Sequence, residues 1–181
     1  MFRKIRNFIL GFGLLLQMAE FSNAQTAPPS EYQLKAAFIY NFAKFIDWPP
    51  EAFANEKSPF VIGILGDDPF GNNLRDTVNG KAINTHPVTI QAFRDASDAT
   101  GCHMLFISRS LKEKFPEIIK KLQGTSVLTV SETEQFIEAG GMINFVEDAK
   151  KIRFQINETA AKAAKLRMSS KLLSLALPSH R

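Results

Sequence analysis

Several residue groups in this sequence have the types that do chemistry. Asp67 and Asp68 follow the apolar run Phe60–Leu65 and its closing Gly66. Ser108-Arg109-Ser110 and Ser131-Glu132 follow two further apolar runs. If those runs are strands of a parallel sheet, all three groups stand at strand carboxyl ends, where wound sheets take ligands. Arg109 there suits a carboxylate, and a small-ligand cleft would be built from Asp67, Asp68 and Arg109. The competing reading is that either aspartate caps a helix beginning near Pro69, and that Arg109 is a solvated loop residue. Two aspartates also repel a phosphate, and neither G-x-G-x-x-G nor a Walker pattern is present, so no nucleotide cofactor is expected.

Other chemistry finds less support. His86, His103 and His180 include no pair at metal-ligand spacing, so no metal site is expected. The only cysteine, Cys102, opens an apolar run, where an inert buried thiol is the usual outcome. There is no G-x-S-x-G elbow, and the adjacent carboxylates (Asp67 with Asp68, Glu132 with Glu134) do not face each other across a cleft as acid–base work requires. No catalytic set emerges, and the chain reads as a non-enzyme. Lys162, Lys165, Arg167 and Lys171 cluster in "AAKAAKLRMSSKLL". They form either a solvated basic face or a contact surface for an acidic partner or membrane headgroups, with Lys162, Lys165 and Lys171 as the contact residues.

The elements that must position these groups follow from patterning. Residues 1–24 read as a signal peptide: Arg3, Lys4 and Arg6, then "FILGFGLLL", then small residues ending at Ala24. The apolar run is short for a membrane span. Its removal takes three basic residues and one acidic one, and lowers the net charge from +4 to +2. So mild a charge, with no basic block, gives no case for nucleic acid. Residues 25–30 read as a flexible leader and residues 31–177 as one domain. With 45% hydrophobic and 22% charged residues the composition is globular.

"AAFIYNFAKFIDWP", Ala36 to Pro49, is apolar almost all round and predicts a core helix covered on more than one face. Lys35, Asn41, Lys44 and Asp47 argue against a bilayer, and Lys35 and Lys44 would snorkel from a narrow edge. Strands are predicted at 60–65, 87–93, 102–108, 126–132, 142–148 and 151–157, the last two as a hairpin. Helices are predicted from Pro69, over 111–122 with a Ser110/Glu113 capping box, after a second box at Ser131/Glu134, and over about 158–175 behind the Asn157 cap. Phe53, Phe70 and Phe136 fall at loop or cap positions open to exposure. Strands alternating with helices give an α/β fold in three layers: a mostly parallel sheet of about six strands, helices on both faces, and a C-terminal antiparallel hairpin.

"LKAAFIYNFAKFIDWP", "ILGDDPFG", "LTVSETEQFIEAGGMINFV" and "RFQINETAAKAAKLRMSSKLLSLA" together resemble the YfiR-like family of exported bacterial proteins, over roughly Tyr32 to Ala176. The resemblance implies a periplasmic regulatory binding protein that forms homodimers. Its relatives repress an inner-membrane diguanylate cyclase by binding the cyclase's periplasmic sensor region, which lowers cyclic di-GMP and biofilm formation. It implies no enzyme activity and no cofactor. Relatives commonly pair a cysteine of the first core strand with the position of Cys102. Here that strand reads Val61-Ile62-Gly63-Ile64, so the internal disulfide has no partner. The alternative is a periplasmic small-ligand-binding protein or enzyme using the strand-end cleft. A lidded, water-excluding pocket would favour the alternative, and an open groove the regulator.

Overall fold

The first helix, α1 (Glu31–Lys44), begins at a Ser30 cap with a reciprocal Gln33 bond, a complete capping box. Residues 28–178 are described in the computed structural model. One face of α1 is buried through Lys35, Ala36, Ile39, Phe42 and Ala43, while Leu34, Ala37, Asn41 and Lys44 form an exposed stripe. The helix is therefore less enclosed than its composition predicts: the small Ala37 and the half-buried Phe38 lower the cost of an open side. Phe38 and Phe42 pack against Phe145 and Phe154, with Phe42 and Phe154 edge to face at 5.0 Å between centroids. Such contacts add to plain area burial. None of the described helices is long and apolar enough to cross a membrane.

After α1 come β1 (Ile46–Asp47), β2 (Phe60–Leu65), α2 (Asn72–Val78), β3 (Ala82–Ile83), β4 (His86–Phe93), β5 (Met104–Ile107), α3 (Phe115–Lys121), β6 (Leu128–Ser131), β7 (Ile143–Asp148), β8 (Lys151–Ile156), α4 (Glu158–Ala163), β9 (Arg167–Met168) and α5 (Ser170–Leu175). The main sheet has seven strands in the order β3-β4-β2-β5-β6-β7-β8. β4, β2, β5, β6 and β7 run parallel, and β3 and β8 are antiparallel edges. The seventh strand, β3, lies in "NGKAIN", which reads as a turn. One apolar layer joins α1, α2, α4 and α5 to the sheet through Ile62, Met104, Phe106 and Val130. The opposite layer holds Leu105, Ile107, Phe115, Ile118 and Phe136. The chain is thus the three-layer, mostly parallel α/β fold its sequence predicts.

Local departures have physical causes. The helix expected from Pro69 begins only at Asn72, because the Asp68 carboxylate accepts the Phe70 N–H at 2.8 Å and makes a side-chain turn instead. Residues 109–114 form a 3-10 turn capped by Ser108, and α3 starts at Phe115, so the Ser110/Glu113 box does not form. Nor does the Ser131/Glu134 box. Ser131 is a buried strand residue whose hydroxyl donates to the Ile107 carbonyl at 2.7 Å. Asn144 Oδ1 accepts the Thr133 N–H at 3.0 Å, and residues 133–140 run as turns.

The expected last helix is broken into α4, β9 and α5. Lys165 takes the left-handed conformation (φ 59°), and Leu166 N–H bonds the Ala161 carbonyl at 3.0 Å, a Schellman closure. β9 then pairs with β1, Ile46 opposite Met168. Ala161, Ala164 and Leu172 face inward, and Leu175 is 52% exposed. Phe70 and Phe136 are buried outright, and Phe53 is half-buried. Cys102 precedes β5 rather than opening it.

Candidate functional site

β4 leaves β2 on one side of the sheet, and β5 returns on the other, so the strand order reverses between β2 and β5. This is the switch point at which wound sheets open a crevice. Gly66 ends β2 there at φ 88°, and a Cβ on it would lie 2.9 Å from Ser110 Oγ, so only glycine fits this turn without displacement. Asp67 N–H donates to Ser110 Oγ at 3.3 Å, and Ser110 bonds Ser108 at 3.2 Å.

Asp67, Asp68 and Arg109 come together, lining a shallow groove of about 280 Å³ with Tyr32, Pro69, Ser108, Ser110 and Glu132. Both aspartates are exposed. Arg109 is not an unpartnered loop residue: its Nε donates to Glu132 Oε1 at 3.3 Å. Glu132, placed by the sequence at a strand end but outside the predicted cleft, is the hub. Its side chain is 2% exposed and also takes Lys35 Nζ at 2.5 Å and the Tyr32 hydroxyl at 3.1 Å. Lys35 pairs in addition with Glu31, one turn away on α1. Lys35 therefore does not snorkel, and it is 5% exposed. A buried ammonium needs such partners, because desolvation of an unpaired charge is costly. Burial works to lower the Lys35 pKa, but the bonds and charges of Glu132 and Glu31 outweigh it and hold the ammonium above its ordinary value. For the Tyr32 phenol burial acts in the opposite sense, and it raises the pKa together with the Glu132 charge and hydrogen bond.

A second groove of about 670 Å³ shares Arg109 and Glu132 with the first. It runs from the start of α1 to the β7–β8 hairpin. Its signal in sequence was the i, i+4 pair Glu31/Lys35 beside an apolar stripe, which patterning assigns to a solvated helix edge.

The basic residues near the C-terminus do not share one helix face. Lys162 is exposed on α4 and pairs with Glu158 at 2.7 Å. Lys165 is exposed at the left-handed bend, and Lys171 on α5 lies 5.1 Å over the Phe45 ring. Arg167 pairs with Asp47 across the β1–β9 ladder at 3.7 Å. At the opposite end of the strands, Phe53 stacks on His86 at 3.9 Å and on His103 at 4.4 Å. His103 Nδ1 accepts the Val61 N–H at 3.1 Å. Among the described residues no three His, Cys, Asp or Glu side chains gather as a metal set. Cys102 is a buried free thiol whose pKa burial pushes up to about 12. That burial leaves it unsuited to bridge two chains or to act as a nucleophile.

Fold and grooves together define a wound α/β-sheet protein whose strand ends carry a buried ion-pair hub beneath half-open surface grooves. The chain belongs to the YfiR/HmsC-like family, whose model matches residues 32–177. Among solved structures it is similar to a conserved domain protein from Vibrio cholerae O1 biovar El Tor strain N16961, at 11% identity and a TM-score of 0.56. The match covers 81% of this chain and 59% of that one, so this chain spans about three-fifths of that structure's length. At such identity the likeness is one of fold. No curated protein matches the sequence.

Proposed function

We propose that this protein is a periplasmic regulatory binding protein that represses an inner-membrane diguanylate cyclase by holding its periplasmic sensor region in the inactive state. The observation that carries the reading is membership of the YfiR/HmsC-like family across residues 32–177. Residues 1–24, which lie outside the described residues, act as the export signal. Residues 25–30 lead into one folded unit, residues 31–177, which works as a homodimer. The half-open form of both strand-end grooves supports a binding role over an enzyme that must exclude water.

In mechanism the protein binds one conformation of the cyclase sensor better than the other and shifts that equilibrium by its differential affinity. Lys162, Lys165 and Lys171, all exposed, supply the contact surface for an acidic sensor face. No covalent step is required of the chain.

The test is capture from detergent-solubilised membranes by the mature protein, residues 25–181, joined to cyclic di-GMP measurement in cells. The expected result is recovery of a membrane cyclase and a rise in cyclic di-GMP when the gene is deleted. Unchanged cyclic di-GMP on deletion, with no cyclase among the captured proteins, would overturn the reading.

A further inference from the structure

The larger groove carries a recognition pattern of its own. Its floor is apolar: Leu34 at 39% exposure, with half-buried Phe38 and Ile152. The lining bears four cations (Lys35, Arg109, Lys150, Lys151) against three carboxylates (Glu31, Glu132, Glu147). The buried part of that charge is already satisfied, since Lys35 lies between Glu31 and Glu132. Arg109 differs. Its Nε is engaged by Glu132, while its side chain remains 64% exposed. Its Nη groups have no hydrogen-bond partner among the described residues.

We propose that this groove is a binding site for a small amphipathic organic anion, with the ligand's carboxylate on the Nη groups of Arg109 and its apolar body over Leu34, Phe38 and Ile152. A guanidinium anchored through Nε offers its outer edge as a planar two-donor fork, the geometry that matches a carboxylate. The anchoring carboxylate is buried and also receives Tyr32 and Lys35, so the fork is oriented before the ligand arrives, which lowers the entropy cost of binding. Lys150 and Lys151 on the hairpin add positive potential at the rim. The volume, about 670 Å³, lies in the range of small-molecule sites. Among the described residues Leu34 is one of the few large apolar side chains left exposed, and a bound apolar body covers it. The site goes beyond the regulatory reading and does not depend on it.

The test titrates the mature chain with octanoate, 1-octanol and octylammonium by calorimetry, with amide shifts mapped by NMR. Octanoate is expected to bind with shifts at Leu34, Lys35 and Ile152, and 1-octanol to bind about tenfold more weakly for want of the charged bond. Arg109→Gln weakens octanoate by about tenfold and leaves 1-octanol unchanged. Leu34→Asp weakens both. Should Arg109→Gln fail to fold, Arg109→Lys keeps a cation beside Glu132 but loses the planar fork, and octanoate must weaken there too. Octanoate binding no tighter than 1-octanol, shifts confined to another surface, or tighter octylammonium binding overturns the proposal. A negative result leaves cyclase capture unaffected, and a failed capture leaves octanoate binding unaffected, so the two readings are separable.

Discussion

Glu132 and His103 are two buried titratable groups that the fold treats differently. Glu132 is bonded on all sides by Lys35, Arg109 and Tyr32. His103 has no such partner: it is 4% exposed, stacked by Phe53 and Phe60, with Nε2 lacking a hydrogen bond among the described residues. Burial, only partly opposed by the nearby backbone of Ala52, depresses its pKa from 6.5 to about 4. A depressed folded value means that the unfolded chain takes up the proton first as the pH falls. The contribution is complete above pH 6.5 and is lost progressively towards pH 4. That interval corresponds to roughly 3 kcal/mol. Urea unfolding of the wild type and of His103→Asn, which keeps an acceptor for the Val61 N–H but does not titrate, measures it. The wild-type advantage at pH 7 should shrink by about 2–3 kcal/mol at pH 4. An advantage that stays constant with pH would refute the assignment.

At the level of elements, the local signals compete with tertiary demands. Of the capping-box patterns at Ser30/Gln33, Ser110/Glu113 and Ser131/Glu134, only the first forms. Ser131 is claimed by the sheet, through its bond to Ile107, before it can cap. The break after α4 shows the same conflict. "AAKAAKLRMSSKLL" contains no glycine or proline and has high helix propensity, yet Lys165 sits at φ 59°. The gain is the β1–β9 ladder and burial of Leu166, which is 1% exposed. A lysine at the left-handed position is strained, so Lys165→Gly should raise stability by about 0.5–1 kcal/mol. Were this segment a continuous helix in solution, the same substitution would instead lower stability by about 1 kcal/mol. Chemical denaturation reads the sign directly.

For the whole molecule, the two ends of the strands have separate characters. The carboxyl ends hold the ion-pair hub and both grooves, and the amino ends hold the His86–Phe53–His103 stack. Lys162, Lys165 and Lys171 lie on neither groove lining, so a partner bound through them leaves the grooves open. If they make the cyclase contact, the double variant Lys162→Glu/Lys171→Glu should weaken capture of the cyclase sensor by about tenfold. Its melting temperature should stay near that of the wild type, because both side chains are exposed and surface pairs such as Lys162–Glu158 contribute little. Unaltered capture would move the interface elsewhere.

The layered α/β architecture was legible in the sequence because continuous apolar runs such as Phe60–Leu65 and alternating ones such as Lys151–Ile156 record burial on two sides or on one. The hairpin was legible for the same reason, its two six-residue strands meeting at the short tip Ala149-Lys150. The residues Asp67, Asp68 and Arg109 were also placed together, since strand carboxyl ends converge at a switch point. Only the tertiary structure decided the hub of the site. Glu132 and Lys35 are 97 residues apart, and each alone reads as a surface charge. Their meeting depends on how α1 lies across the sheet, a long-range packing outcome that no local spacing encodes. The break at Lys165 has the same origin: it follows from a strand partner, β1, that lies far away in the chain.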